Sequence, residues 1–305
     1  MPDRNTWLHV VILLFVVASA RDISAQAWVM PQGEYFFKLS GSYLSSTKEF
    51  NSEGERLEIY KEDASRIDAS FRDITFTAYL EYGLTDDFTL VADIPFKILT
   101  SEETELAGPG TARKITRTNG GLGDLRVLVR APILRRPFAL SAQGGASVPM
   151  GYEQIPDNQG PPLGTGEIDG EFHLHAGLSL HPIPAYLSGG AGYRLRGGEL
   201  HDEILFNVEG GYTLGSLFVK FRFEGIKNTH NPPDVFGGTV VTPIPGGGGA
   251  INNVIVGDQD IYKFLPTLSF SLTDRLAVTG ELFHTFDGKN TVAGTAYAVG
   301  LIFTR

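Results

Sequence analysis

The chain has 305 residues and no cysteine, and its 25 Lys and Arg against 35 Asp and Glu leave a net charge of −10. That sign is wrong for a nucleic-acid surface, and the missing cysteines exclude disulfides, cysteine-ligated zinc and thiol nucleophiles. Thirty-seven glycines with 11% aromatic and 20% charged residues fit neither a helical bundle nor a disordered chain. They point to an all-β fold, which at this length forms two ordinary domains or one barrel.

Val10 to Ala18 is an unbroken apolar run of nine residues behind Arg4. It is too short to cross a bilayer as a helix but suits the core of an export signal. Small residues follow at Ala18-Ser19-Ala20, Ile23-Ser24-Ala25 and Ala25-Gln26-Ala27. Residues 1–25 are therefore expected to be a signal peptide, cleaved after Ala25 or Ala27, with 28–305 forming the folded unit. The competing reading is a buried N-terminal helix. No later segment approaches the run of about 18 apolar residues that a transmembrane helix needs.

From there the chain alternates apolar and polar residues with period two, the mark of a strand with one apolar face. Over 74–84 one face carries Ile74, Phe76, Ala78, Leu80, Tyr82 and Leu84, and the other carries Thr75, Thr77 and Glu81. Over 88–98, Phe88, Leu90, Ala92, Ile94, Phe96 and Ile98 lie opposite Thr89, Asp93 and Lys97. Over 168–180, Phe172, Leu174, Ala176 and Leu178 lie opposite Asp169, Glu171, His173 and His175. The pattern recurs near 34–45, 122–133, 138–149, 186–196, 203–214, 217–226, 261–272, 275–286 and 291–303, which makes twelve segments.

The connections alternate as well. Thr85-Asp86-Asp87, Arg135-Arg136-Pro137, Pro182-Ile183-Pro184, Gly215-Ser216 and Thr273-Asp274 are short. Those over 46–70, 99–119, 150–166, 197–202, 227–260 and 287–290 are mostly longer and rich in Gly, Pro and charge. An even number of strands of about ten residues, joined by short turns at one end and long loops at the other, predicts a closed antiparallel transmembrane β-barrel of about twelve strands. Only closure lets strands cross lipid without unpaired backbone groups. Tyr35, Tyr43, Tyr82, Phe88, Phe138, Tyr193, Tyr212 and Tyr262, near strand ends, suit interfacial girdles. A soluble β-sandwich also alternates, but its wet face would carry more Lys and Glu than the Thr, Ser and Gly found here. The final strand alternates through Tyr297, Val299, Leu301 and Phe303. It is similar to the signal by which the barrel-assembly machinery recognises outer-membrane proteins.

If the apolar face meets lipid, the polar face lines a lumen. The lumen-lining candidates are Glu81, Asp93, Lys97, Asp124, Arg126, Arg130, Glu171, His173, Arg194, Glu209, Lys220, Arg222, Glu224 and Glu281. Arg194 lies between strands carrying Glu171 and Glu209. Such charges either satisfy one another in a plugged or narrow barrel or set a field and a binding site in a pore. The connection from Asn228 to Asp260, with its glycine run at 246–249, is long enough to fold over the mouth and gate it. His173 and His175, with Asp169 and Glu171 on the same face, raise a metal or acid–base reading, but further ligands are not evident. No serine stands in a nucleophile-elbow context, and Gly120-Gly121-Leu122-Gly123 opens a strand, not the helix a phosphate loop requires.

Tyr82-Gly83-Leu84-Thr85, Gly121-Leu122-Gly123-Asp124-Leu125, Leu163-Gly164-Thr165-Gly166 followed by Asp169, and Gly192-Tyr193-Arg194-Leu195-Arg196 occur in this order. Together they make most of the mature chain resemble a family of outer-membrane channels associated with meta-pathway phenol degradation. The resemblance implies a barrel passing small, often aromatic or hydrophobic molecules, and it supplies no catalytic residues. The expectation is a passive outer-membrane channel without cofactor, enzymatic activity or N-terminal plug domain, in contact with lipid, small solutes and the assembly machinery. The rivals are a structural or surface-interaction barrel and an outer-membrane enzyme using His173.

Overall fold

The computed structural model describes residues 26–305 apart from 62, 109, 154–155, 199 and 231–257. The export signal expected over 1–25, and most of the long connection expected to gate, lie outside the described residues. In chain order the strands are β1 (Tyr35–Ser46), β2 (Lys48–Phe50), β3 (Arg56–Glu58), β4 (Arg66–Gly83), β5 (Thr89–Gly108), β6 (Thr111–Leu122), β7 (Asp124–Leu134) and β8 (Ala139–Pro149). They continue as β9 (Asp169–Ser179), β10 (Ala185–Leu195), β11 (Glu203–Leu214), β12 (Leu217–Asn228), β13 (Asp260–Thr273), β14 (Leu276–Lys289), β15 (Thr291–Ala293) and β16 (Thr295–Thr304).

All pairings are antiparallel, and β1 pairs with β4 on one side and with β16 on the other, so the main sheet closes on itself. β5 pairs with β7 from Thr89 to Asp93 and with β6 from Phe96 upward, so β6 and β7 act as one barrel strand. The junction is a bulge at Gly123, whose N–H donates to the Pro95 carbonyl at 2.8 Å. Pro95 has no N–H to return. A Cβ on Gly123 would lie 3.1 Å from Pro95 Cγ and 3.3 Å from Lys97 Cε, which leaves little room for any other residue. Twelve strands thus ring the barrel. A main sheet that closes on itself, instead of two open sheets packed face to face, sets the sandwich aside.

The alternation places the apolar residues outside. Phe76, Phe96, Phe172, Leu195, Leu214, Tyr297 and Val299 are 42–69% exposed, whereas inward Glu81, Arg130, Glu171 and Glu209 are at most 5% exposed. No helix among the described residues is long and apolar enough to cross a membrane, which bears only on helices. A concavity of about 640 Å³ lies on this outer face, lined by Leu39, Phe76, Phe96, Leu122, Val299 and Leu301, and not in the lumen.

Two expected loops prove to be strands. The segment 99–119 continues β5 and β6 as a hairpin standing above the barrel. There Glu103 meets Arg117 at 2.7 Å, Glu102 meets Lys114 at 3.2 Å, and the Thr100 and Thr118 hydroxyls are 3.0 Å apart. This hairpin is polar on both faces, so it carries no period-two signal. In the first long connection β2 and β3 form a small sheet with β15, which ties that connection to the last one.

Candidate functional site

The interior is lined by charges that hold one another. Glu81 and Arg130 form a two-pronged pair at 3.0 and 3.2 Å, each side chain at most 4% exposed. The same guanidinium donates to Gln143 Oε1 at 2.9 Å, and the Tyr79 hydroxyl donates to Glu81. Charges this far from water persist only when every donor and acceptor is met. A second cluster centres on Glu171, which accepts from Arg126 Nε at 2.8 Å and from Arg194 Nε at 3.0 Å and lies 3.0 Å from His173 Nε2. Asp93 is in register with Arg126 and Tyr79 beside this cluster.

The remaining candidates complete the wall. Glu281 pairs with Lys38, Lys220 Nζ lies 3.9 Å from Glu209, and Arg222 Nε lies 3.2 Å from Glu224. Glu209 also accepts from the Tyr186 hydroxyl at 3.0 Å. Arg194 does lie between the strands carrying Glu171 and Glu209, but Glu209 is not its partner. Its second partner is Glu203, at 2.6 Å, because the register pairs Arg194 with Glu203 and sets Glu209 opposite Ser188. Sequence reasoning also missed Lys38, Gln143, Arg196 and Glu203. Parity along each strand could have found the first three, but Glu203 sits at a strand end where parity has no run to lean on. Arg196 closes the chain of charges by contacting both Glu203 and Asp169.

Two of the candidates serve the long-loop end instead of lining open space. Lys97 Nζ donates to the Leu163 carbonyl at 2.8 Å, and Asp124 accepts from the Tyr152 hydroxyl. Both partners belong to the connection 150–168, which folds into the mouth. There Leu163 is buried with Phe71 and Leu99, and Leu44, Ile59, Tyr152 and Val292 pack around them. Burial and the Asp124 carboxylate push the Tyr152 phenol up from its ordinary pKa. The connection 150–168 thus enters the mouth through its described residues; most of the 228–260 segment, expected to gate, lies outside the described residues.

The short-turn end is covered too. A strap before β1 runs across it: the Trp28 carbonyl accepts from Arg130 Nη1 at 2.9 Å, and the Met30 N–H donates to Thr89 Oγ1 at 2.7 Å. The Trp28 indole meets Tyr186 edge-on at 6.0 Å. No plug domain is present among the described residues, but these few residues before the first strand do occupy the interior, which strand alternation gives no means of seeing.

His173 and His175 stack at 5.6 Å with their rings 9° apart. Among the described residues no group of three or more His, Asp or Glu side chains is placed to hold a metal ion.

A closed barrel that is apolar outside and lined by paired charges inside has the architecture of an outer-membrane β-barrel. No family model and no curated protein sequence matches the chain. Among solved structures it is similar to an outer-membrane channel from Pseudomonas putida F1, with a TM-score of 0.65 and 11% identity over 93% of this chain and 100% of that one. The Ralstonia pickettii toluene transporter aligns with a TM-score of 0.44 and 8% identity over 90% of each chain. Outer membrane phospholipase A from Escherichia coli aligns with a TM-score of 0.37 and 10% identity over 90% of this chain and 94% of that one. The first likeness establishes the fold; the other two are too distant to add to it.

Proposed function

We propose that the chain is exported, loses its signal peptide after Ala25 or Ala27, and is inserted into the outer membrane through its C-terminal strand by the barrel-assembly machinery. There it acts as a passive channel for small molecules, with the inward charges setting what passes. The observation that carries this reading is the inverted barrel, with large apolar side chains outside and a buried wall of paired charges within. Strands that expose such an apolar belt are stable only against lipid. A lumen held at fixed width by salt bridges favours small solutes. The family resemblance supports aromatic or hydrophobic molecules among them.

The test is single-channel recording of the refolded protein in planar bilayers, together with sequencing of the mature N-terminus. Discrete conductance steps are expected. Protein that stays monodisperse without detergent and shows no heat-dependent gel shift overturns the barrel in lipid.

A second reading has one observation in its favour, because both ends are covered, by Leu163 and its neighbours and by the strap at Trp28. A barrel that never opens would be a structural or surface-interaction protein. Absence of conductance and of uptake of every solute tried would select that reading.

A further inference from the structure

Ser141 Oγ, both ring nitrogens of His175 and Ser188 Oγ are buried inside the barrel with no hydrogen-bond partner among the described residues. Their residues are 0, 2 and 5% exposed. The register makes them neighbours. Ser141 lies opposite His175 across β8 and β9, and Gly190, two residues along β10 from Ser188, lies opposite His175 on the other side. The imidazole packs against Gly190, where a Cβ would come within 2.4 Å of Nδ1. Buried hydroxyls and ring nitrogens are rarely left unpaired, since each forfeits its bonds to water. Three such side chains together form a set of unmet donors and acceptors inside the barrel.

The nearby charges are already in ion pairs or hydrogen bonds. Arg130 is held by Glu81 and Gln143, Arg126 by Glu171, and Glu209 by Tyr186, while Arg222 faces the Glu224 carboxylate at 3.2 Å, its buried Nε making no hydrogen bond among the described residues. An entering ion would therefore lose its hydration without meeting a free counter-charge. An uncharged solute instead exchanges its bonds to water for bonds to these groups. The strap covers this place from the short-turn end. A Cβ on Gly177, which is in register with Ser188, would lie 2.5 Å from Trp28 Cη2 and 2.6 Å from Ala27 Cβ.

We propose that Ser141, His175 and Ser188 form a binding station for small uncharged solutes bearing hydroxyl or carbonyl groups, uncovered when the strap from Ala27 to Pro31 leaves the lumen. The proposal rests on the channel reading and names the solute class it serves.

Two variants open the strap independently. Trp28→Ala removes the indole, and Gly83→Ala places a Cβ 1.9 Å from the Pro31 carbonyl oxygen, which drives the backbone away. The probes in proteoliposomes are arabinose as the uncharged solute, gluconate as a charged one of similar size, and KCl conductance as the measure of an open pore. Heat-dependent gel mobility verifies folding of each variant. Arabinose influx is expected to rise in both variants and to saturate. Adding Ser141→Ala, His175→Phe and Ser188→Ala to Trp28→Ala is expected to raise the half-saturating arabinose concentration roughly tenfold, as loss of hydrogen bonds to the solute requires. Gluconate influx and KCl conductance stay unchanged. Conductance with arabinose influx that does not saturate, or that is indifferent to the three substitutions, overturns the station alone. Folded strap variants with no greater influx than the parent overturn the strap's role. Failure of every variant to pass KCl, arabinose or gluconate overturns the channel reading and this proposal with it.

Discussion

Arg130 shows at the residue scale how this barrel tolerates charge in its wall. Its guanidinium is 1% exposed and spends its donors on Glu81, Gln143 and the Trp28 carbonyl, so the pair with Glu81 is one part of a satisfied network. Removing one member strands the other, and breaking a buried pair from one side costs about 3–5 kcal/mol. Glu81→Leu should therefore destabilise the barrel strongly, and Glu81→Leu with Arg130→Met should recover much of the loss. Urea unfolding in lipid vesicles, followed by tryptophan fluorescence, measures both; equal destabilisation by the single and double variants would contradict the network account. At this scale the sequence was half legible. Strand parity names Glu81, Arg130 and Glu171 as inward residues, because successive side chains point to opposite faces. Partner choice is another matter. Arg194 goes to Glu203 and not to Glu209 because the β10–β11 register decides which residues stand opposite.

Among the elements, the connection 150–168 acts by packing. Leu163 is 4% exposed between Phe71 and Leu99, and the Lys97–Leu163 and Asn119–Pro161 hydrogen bonds fix the backbone on either side, each 2.8 Å long. Truncating a buried leucine costs about 2–5 kcal/mol, and a connection held by few contacts feels that loss locally. Leu163→Ala should leave the barrel folded, make residues 150–168 cleavable by protease and increase conductance. Unchanged protease resistance would show that the apolar cap does not hold the connection in place. None of this is legible in the sequence, where Gly160-Pro161-Pro162-Leu163-Gly164 reads as an ordinary turn-rich loop with one leucine. The hairpin above the barrel was legible in part. Glu102, Glu103 and Glu105 precede Arg113, Lys114 and Arg117 in an order that antiparallel pairing matches, with Glu105 opposite Arg113. Without an apolar face, however, the segment gives no alternation to read.

For the whole molecule the decisive property is the inversion of polarity. Val299, in the middle of the last strand and 69% exposed, faces away from the lumen. A basic residue on a lipid-facing wall costs about 2–4 kcal/mol near the bilayer midplane, whereas on a soluble sheet it would be neutral or favourable. Val299→Lys should therefore lower stability in vesicles and slow insertion, while Ser40→Lys, an inward substitution two strands from Glu281, should be tolerated far better. Folding yield by heat-dependent gel shift compares the two, and equal tolerance of both would count against a lipid-facing wall.

Composition, period-two alternation and the alternating lengths of the connections determine by themselves that this is one closed barrel of twelve strands with its apolar residues outside. These are local properties, written in each strand by the geometry of an extended chain. The interior is different. Which charges pair, which connection enters the mouth, and that a strap before β1 reaches Arg130 follow only from closure, because the ring of strands brings together residues as far apart as Trp28 and Arg130 or Lys97 and Leu163. Contacts of that kind have no period and leave no trace in a single strand's sequence; the tertiary structure alone decides them.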